Sequence, residues 1–215
     1  YFSKMSKIVL ITGASSGFGK IIAEKLSDDG FIVYGTSRNP NKHPSPKKYK
    51  LLKLDITSFK DSSKLVEIIL RENKKIDILI NNAGVGFSGP IEEISIEDIK
   101  KVFDTNFFGQ INLIQKILPV MRKNNSGLII NITSIAGFHG VPFVSSYCAS
   151  KASMEFLGEA LNMEIKRFGI RVVNIAPGDY NTEIKVNRQD TLLSKNSPYY
   201  EVYKNFINQW SLNMN

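Results

Sequence analysis

The chain has 215 residues, enough for one domain with a substantial buried core and too few to require two. Its composition, 42% apolar and 22% charged, is that of an ordinary globular protein, and no apolar run approaches the roughly 18 residues of a membrane helix. The net charge of +8 comes from scattered lysines with no helix-turn-helix, zinc-finger or RNA-binding pattern, so neither nucleic acid nor membrane insertion is expected. Cys148 stands alone, which excludes an internal disulfide framework and suits a reducing, cytoplasmic setting. No signal peptide is expected, because the apolar run of Lys7 to Ile11 is short and leads directly into glycines; Met5 reads as the natural start.

Lys7 to Thr12 predicts a short strand buried on both faces. Thr12-Gly13-Ala14-Ser15-Ser16-Gly17-Phe18-Gly19 follows at once. A helical apolar face of Ile21, Ile22, Ala23 and Leu26 comes next, and Gly30 stops it. Strand, glycine turn and helix form a unit that cradles phosphate. The glycines let backbone approach closely, and the helix N-terminus offers unpaired N–H groups and a positive dipole end. Gly13, Ser15, Ser16, Gly17, Phe18 and Gly19 are therefore the candidate phosphate contacts. Phe31 to Thr36 is a second strand. In dinucleotide-binding units an acid at its end selects a free ribose 2′-hydroxyl. This chain carries Ser37-Arg38 there and no acid nearby. A hydroxyl and a guanidinium suit a 2′-phosphate, so NADP(H) is the expected dinucleotide, with Lys42 adding to the field.

A third strand ends in Asp55-Ile56, and an amphipathic helix from Ser58 to Lys74 rests on Leu65, Val66, Ile68 and Ile69. The fourth strand, Ile76 to Ile80, runs into Asn81-Asn82-Ala83-Gly84, small residues beside which a planar ring can lie close to backbone. Ser95 caps the next helix, with Glu97 and Asp98 in its first turn, and the pattern continues to Arg122. Asn106 and Gly109 are poor helix formers inside it and predict a local kink or functional exception. A fifth strand, Gly127 to Thr133, delivers Ser134 at its end. The following helix carries Tyr147 and Lys151, and a sixth strand, Ile170 to Ala176, ends in Pro177-Gly178.

Six strands alternating with five helical stretches predict an α/β fold: a Rossmann-type doubly wound parallel sheet, flanked by helices on both faces, in a single domain. Ligands on such sheets bind at the C-terminal strand edges, where each of these features falls. Tyr147 and Lys151 share one helix face, one turn apart. An ammonium favours phenolate, but lowering a phenol pKa from about 10 by about 3 units takes about 4 kcal/mol, more than one exposed pair supplies. Taken by itself, the pair fits a packed tyrosine beside a solvated lysine as well as it fits catalysis.

In order along the chain, Thr12-Gly-x-x-x-Gly-Phe-Gly19, Asn81-Asn-Ala-Gly84, Asn106, Ser134, Tyr147-x-x-x-Lys151 and Pro177-Gly178 resemble the short-chain dehydrogenase/reductase family. The resemblance runs from Lys7 to about Thr182, and Ser134 thirteen residues before Tyr147 makes the ordered set specific. It implies an oxidoreductase moving hydride between NADP(H) and a carbonyl or secondary alcohol. In that reading Tyr147 is general acid in reduction and base in oxidation. Lys151 lowers the tyrosine pKa and bonds the nicotinamide ribose, Ser134 polarises the substrate oxygen, and Asn106 holds a relay water. Asp55 and Ile56 would meet adenine, Asn82, Ala83, Gly84, Pro177 and Gly178 would line the cofactor, and Thr182 would reach the carboxamide. No metal is called for. A non-catalytic NADP(H) sensor on the same fold is the alternative; retention of all four catalytic positions favours the enzyme.

Residues 5–184 are expected to form the dinucleotide-binding and catalytic unit, and 185–215 a lid or tail of the same domain. In that tail Tyr199, Tyr203, Phe206 and Trp210 make one helical stripe. The seventh strand usual in the family is not seen before Asn215, so the chain is cut or closes its sheet differently. Phe87, Phe138, Val141 and Phe143 are expected to make an apolar substrate pocket, with His139 a solvated loop side chain. A homodimer or homotetramer is expected through the helices of Asp98–Arg122 and Tyr147–Phe168.

Overall fold

The structure, a computed structural model, describes residues 6–178 and 189–213. Strands β1 (Ile8–Ile11), β2 (Ile32–Ser37), β3 (Lys50–Lys53) and β4 (Ile78–Asn81) alternate with helices α1 (Gly17–Asp28) and α2 (Phe59–Asn73). After a two-residue strand β5 (Phe87–Ser88), the chain forms α3 (Ile96–Phe103), a π-helical turn (Asp104–Phe108) and α4 (Gly109–Lys123) without a break. Strand β6 (Gly127–Ile132), helix α5 (Ser145–Ile165) and strand β7 (Ile170–Ile175) follow, then β8 (Gln189–Asp190) and α6 (Tyr200–Asn213).

Six strands form one parallel sheet in the order β3-β2-β1-β4-β6-β7. The chain moves outward from β1 to β3, then returns to β4 on the other side of β1. That reversal opens a crevice at the C-terminal ends of β1 and β4, where a sheet of this kind binds ligand. Strand β1 is buried on both faces, as its unbroken apolar run requires. Ile8 and Leu10 enter the core under α2, α4 and α5, while Val9 and Ile11 enter the core under α1. Ser58 and Ser95 cap α2 and α3, their hydroxyls accepting from the N–H groups of Asp61 and Asp98.

Two features add to the sequence reading. The break at Asn106 and Gly109 is a π turn, and Gly109 fits because a Cβ there would lie 2.6 Å from the Ile56 carbonyl oxygen. Strands β5 and β8 make a separate two-strand parallel ladder outside the main sheet. Among the described residues the main sheet has no seventh strand.

Candidate active site

A cavity of about 780 Å³ opens along the C-terminal edges of the central strands. Its floor is the glycine turn after β1. Gly13 sits at φ +67° and Gly17 at φ +52°, the left-handed region where glycine carries no penalty. A Cβ on Gly13 would lie 3.0 Å from the Ala83 Cα, so the turn also packs against the chain after β4. Asn82 ties the two together: its amide donates to the carbonyls of Thr12 (2.9 Å) and Gly13 (3.0 Å). Thr12 replies with its hydroxyl oxygen, which accepts from the N–H groups of Asn82 and Ala83, both at 2.9 Å. Gly13, Ser15, Ser16, Gly17 and Phe18 line the cavity. Gly19 does not line it; it is buried behind the turn, where a Cβ would collide with the Gly13 carbonyl oxygen. Ser16 stands at the N-cap of α1 without a side-chain capping bond, which leaves the first-turn N–H groups for an anion.

The second wall follows β2 and β3. Ser37 is buried and its hydroxyl accepts from the Asn39 N–H at 3.2 Å, while Arg38 and Lys42 are exposed on the cavity rim beside His43. Asp55 and Ile56 also line it. The Asp55 carboxylate is occupied locally, accepting from the backbone N–H (3.0 Å) and hydroxyl (2.8 Å) of Thr57. Ala83, Gly84, Pro177 and Gly178 complete the channel. Thr182 lies outside the described residues.

The far end of the cavity holds the titratable chemistry. Ser134 leaves β6 in an extended conformation and caps a short 3₁₀ turn, its oxygen accepting from the Ala136 N–H at 3.2 Å. Tyr147 and Lys151 come from the first two turns of α5 and both face the cavity. Lys151 is 6% exposed; its ammonium donates to the Ile132 carbonyl at 2.8 Å and sits 5.8 Å from the centre of the Tyr147 ring. Burial pushes its pKa down from 10.5 to about 8. A Cβ on Gly84 would come within 3.6 Å of this ammonium. The absence of a side chain at Gly84 therefore keeps the lysine open to the channel.

Asn106 does not reach the cavity with its side chain. That side chain is fully used: it accepts from the Val85 N–H (2.8 Å) and donates to the Val85 carbonyl (2.9 Å) and the Ser150 hydroxyl (3.0 Å). It clamps the loop after β4 to α5. Sequence reasoning misplaced two aromatic residues. Phe138 is 57% exposed and away from the cavity. Phe143 turns instead to Tyr203 and Phe206, with ring centres 5.3 and 5.2 Å away. His139 is exposed yet stands on the rim. Lys101, Thr105, Gln189 and Trp210 also line the cavity. Of these only Trp210 carried a sequence signal, as the last member of the aromatic stripe.

The donor set fits a nicotinamide dinucleotide: an uncapped helix N-terminus and a turn without Cβ atoms for the pyrophosphate, a cationic rim for the adenosine end, and a buried ammonium at the opposite end. Comparison with known proteins agrees. The model of the short chain dehydrogenase family matches residues 7–193. The 3-ketodihydrosphingosine reductase of Bacteroides thetaiotaomicron is 44% identical over 198 residues, covering 92% of this chain and 73% of its own. Among solved structures, a short-chain dehydrogenase from Streptomyces avermitilis superposes with a TM-score of 0.82 at 32% identity, covering 91% of this chain and 74% of its own. ElxO with NADP bound gives a TM-score of 0.77 at 30% identity, covering 83% and 76%. Because the match takes in the entire parallel sheet and all of the cavity lining but Trp210, the chain belongs to the short-chain dehydrogenase family and is an oxidoreductase of nicotinamide-cofactor type.

Proposed function

We propose that the chain is an NADP(H)-dependent reductase of carbonyl compounds, acting in reverse on secondary alcohols, with Tyr147 as its proton donor and acceptor. The observation that carries this reading is Lys151. It is an ammonium whose burial lowers its pKa, held by the Ile132 carbonyl near the Tyr147 ring. A lysine kept at that desolvation cost suits one task, stabilising negative charge that develops on the neighbouring phenol oxygen. The bound cofactor supplies or takes the hydride. Tyr147 gives a proton to the substrate oxygen in reduction and removes it in oxidation. Ser134, at the end of β6, holds that oxygen from the other side with its hydroxyl. The π turn at Asp104–Phe108 shifts the backbone hydrogen-bond pattern beside the Asn106 clamp, which suits the carbonyls there to holding a water for proton exchange.

NADP(H) is favoured over NAD(H) by Arg38 and Lys42 on the rim, with no carboxylate at the end of β2. The NADP bound by ElxO points the same way. A second copy of the chain is the expected partner, because the π turn before α4 and helix α5 leave Phe108, Phe156 and Met163 exposed at 51, 70 and 74%. The test of the central claim is NADPH consumption over a panel of ketones for the wild type and Tyr147→Phe. The variant should lose about a hundredfold to ten-thousandfold in kcat. Equal rates would remove Tyr147 from the chemistry.

A further inference from the structure

Beyond Ser134 and Tyr147 the cavity changes character. Phe87, Ile135, Val141 and Val144 line it, and Trp210 of α6 joins that lining. The position of Trp210 is built from the fold inward. Tyr203, one residue of the α6 stripe, is 7% exposed, and its hydroxyl donates to the Ser88 carbonyl at 3.0 Å while meeting the Ser88 hydroxyl at 2.7 Å. Ser88 in turn donates to Asp190 at 2.5 Å, so β5, β8 and α6 are fastened at one buried polar point. Outward from there the rings of Phe143, Phe206 and Trp210 meet in sequence at tilted angles of 55° and 51°, each pair of centres 5.2 Å apart. The indole is thus held by an aromatic column rooted in the core, and part of it is left open to solvent.

We infer that Trp210 is a specificity-determining residue: its indole forms the outer wall of a subsite for a straight apolar chain attached to the reacting carbonyl carbon. The inference rests on the carbonyl-reductase reading above, because the chain starts where Ser134 and Tyr147 hold the oxygen. Two features select an aliphatic chain over a charged group. Phe87, Ile135, Val141 and Val144 give the cavity a branched aliphatic and aromatic surface, and the indole adds a broad apolar face to it. Each methylene moved from water onto that surface tightens binding by a factor of about four. Selectivity should therefore rise with chain length until the chain passes the indole, then level off.

The chain contains a single tryptophan, so its emission reports on this position alone. The experiment uses straight-chain methyl ketones from butanone to dodecanone with NADPH, for wild type, Trp210→Ala and Trp210→Phe. The ratio of kcat/KM for dodecanone to that for butanone should fall by about tenfold or more in Trp210→Ala and be largely restored in Trp210→Phe. Dodecanone added to the wild type with NADP should shift the tryptophan emission saturably. If the ketones are reduced but the ratio is the same in all three proteins, the subsite is refuted while the reductase reading stands. If no ketone is reduced but dodecanone still shifts the emission saturably, the subsite stands and the reductase reading falls. Failure of both readouts overturns the inference, as does an equal loss on long and short ketones.

Discussion

Lys151 offers the most exacting test, because what suits it to catalysis should make the protein less stable. Replace it with methionine, which fills similar volume without charge. Burial lowers its pKa from 10.5 to about 8, and a shift of this size corresponds to about 3 kcal/mol against the charged form in the fold. The substitution also removes the bond to the Ile132 carbonyl, worth about 1.5–3 kcal/mol for a charged donor, so the net gain at neutral pH is small. The pH dependence is more decisive. Below about pH 8 the lysine is protonated in both states and the full penalty is present. As pH rises past 8 the folded protein releases its proton first, while the unfolded chain keeps its own until about 10.5. In that window the unfolded state binds more protons, so stability climbs with pH. Urea unfolding of the cofactor-free protein at several pH values, with Tyr147→Phe in both backgrounds so that the neighbouring phenol does not titrate, should show the Lys151 form gaining about 3 kcal/mol on the Lys151→Met form between those limits. Parallel stability curves would mean that Lys151 is not desolvated in the fold, and the electrostatic basis for its action on Tyr147 would go with it.

Other sites give independent checks. Arg38→Asp should lower the preference for NADPH over NADH by on the order of tenfold to a hundredfold in kcat/KM, and an unchanged ratio would refute the 2′-phosphate contact. Gly19→Ala puts a methyl against the Gly13 carbonyl oxygen and 2.5 Å from the Asn82 amide. It should cost about 1–3 kcal/mol in chemical unfolding and weaken NADPH binding measured by fluorescence titration, without Gly19 touching the ligand. Phe156→Glu should shift the protein to monomer in sedimentation velocity; an unchanged oligomer would place the interface elsewhere.

Much of this was legible in the sequence because it depends on local chemistry. The apolar run of β1, the glycines behind it and the Ser58 and Ser95 caps act through neighbours in the chain, and the structure has them where the residues predict. The misfit of Asn106 and Gly109 in an otherwise strong helix predicted an irregularity, which is the π turn, but not why glycine is required there. That requirement comes from the Ile56 carbonyl, 53 positions away, which a Cβ at Gly109 would approach to 2.6 Å. What escaped sequence reading was orientation in loops. Phe138 and Phe143 sit in one stretch with Val141, yet Val141 lines the cavity, Phe138 faces water and Phe143 joins the α6 column. Apolar character alone could not separate them. Phe143 adopts φ +63°, a conformation decided by tertiary packing and not by its own preference.

The placement of α5 was the least legible element, although the whole site depends on it. Asn81, Asn131 and Asn174 are unremarkable ends of three strands in the sequence, and asparagine is a poor strand former. Parallel register sets them side by side. The Asn81 amide donates to Asn131 and the Asn131 amide to Asn174, each at 2.9 Å. Asn174 then donates to both the backbone and side-chain oxygens of Glu155, at 2.8 and 2.9 Å. Glu155 lies on α5 one turn beyond Lys151. Gly158, one turn less a residue further on, lets the helix close in, since a Cβ there would strike the Asn174 amide. A row of amides, buried at Asn81 and Asn131 and half-buried at Asn174, thus fixes how near α5 lies to β6 and β7, and so the depth at which the Lys151 ammonium meets the Ile132 carbonyl. Buried polar groups of this kind gain little net stability over an apolar core but do specify one arrangement. Here the arrangement specified is the distance between the helix that carries Tyr147 and Lys151 and the strand that leads into Ser134.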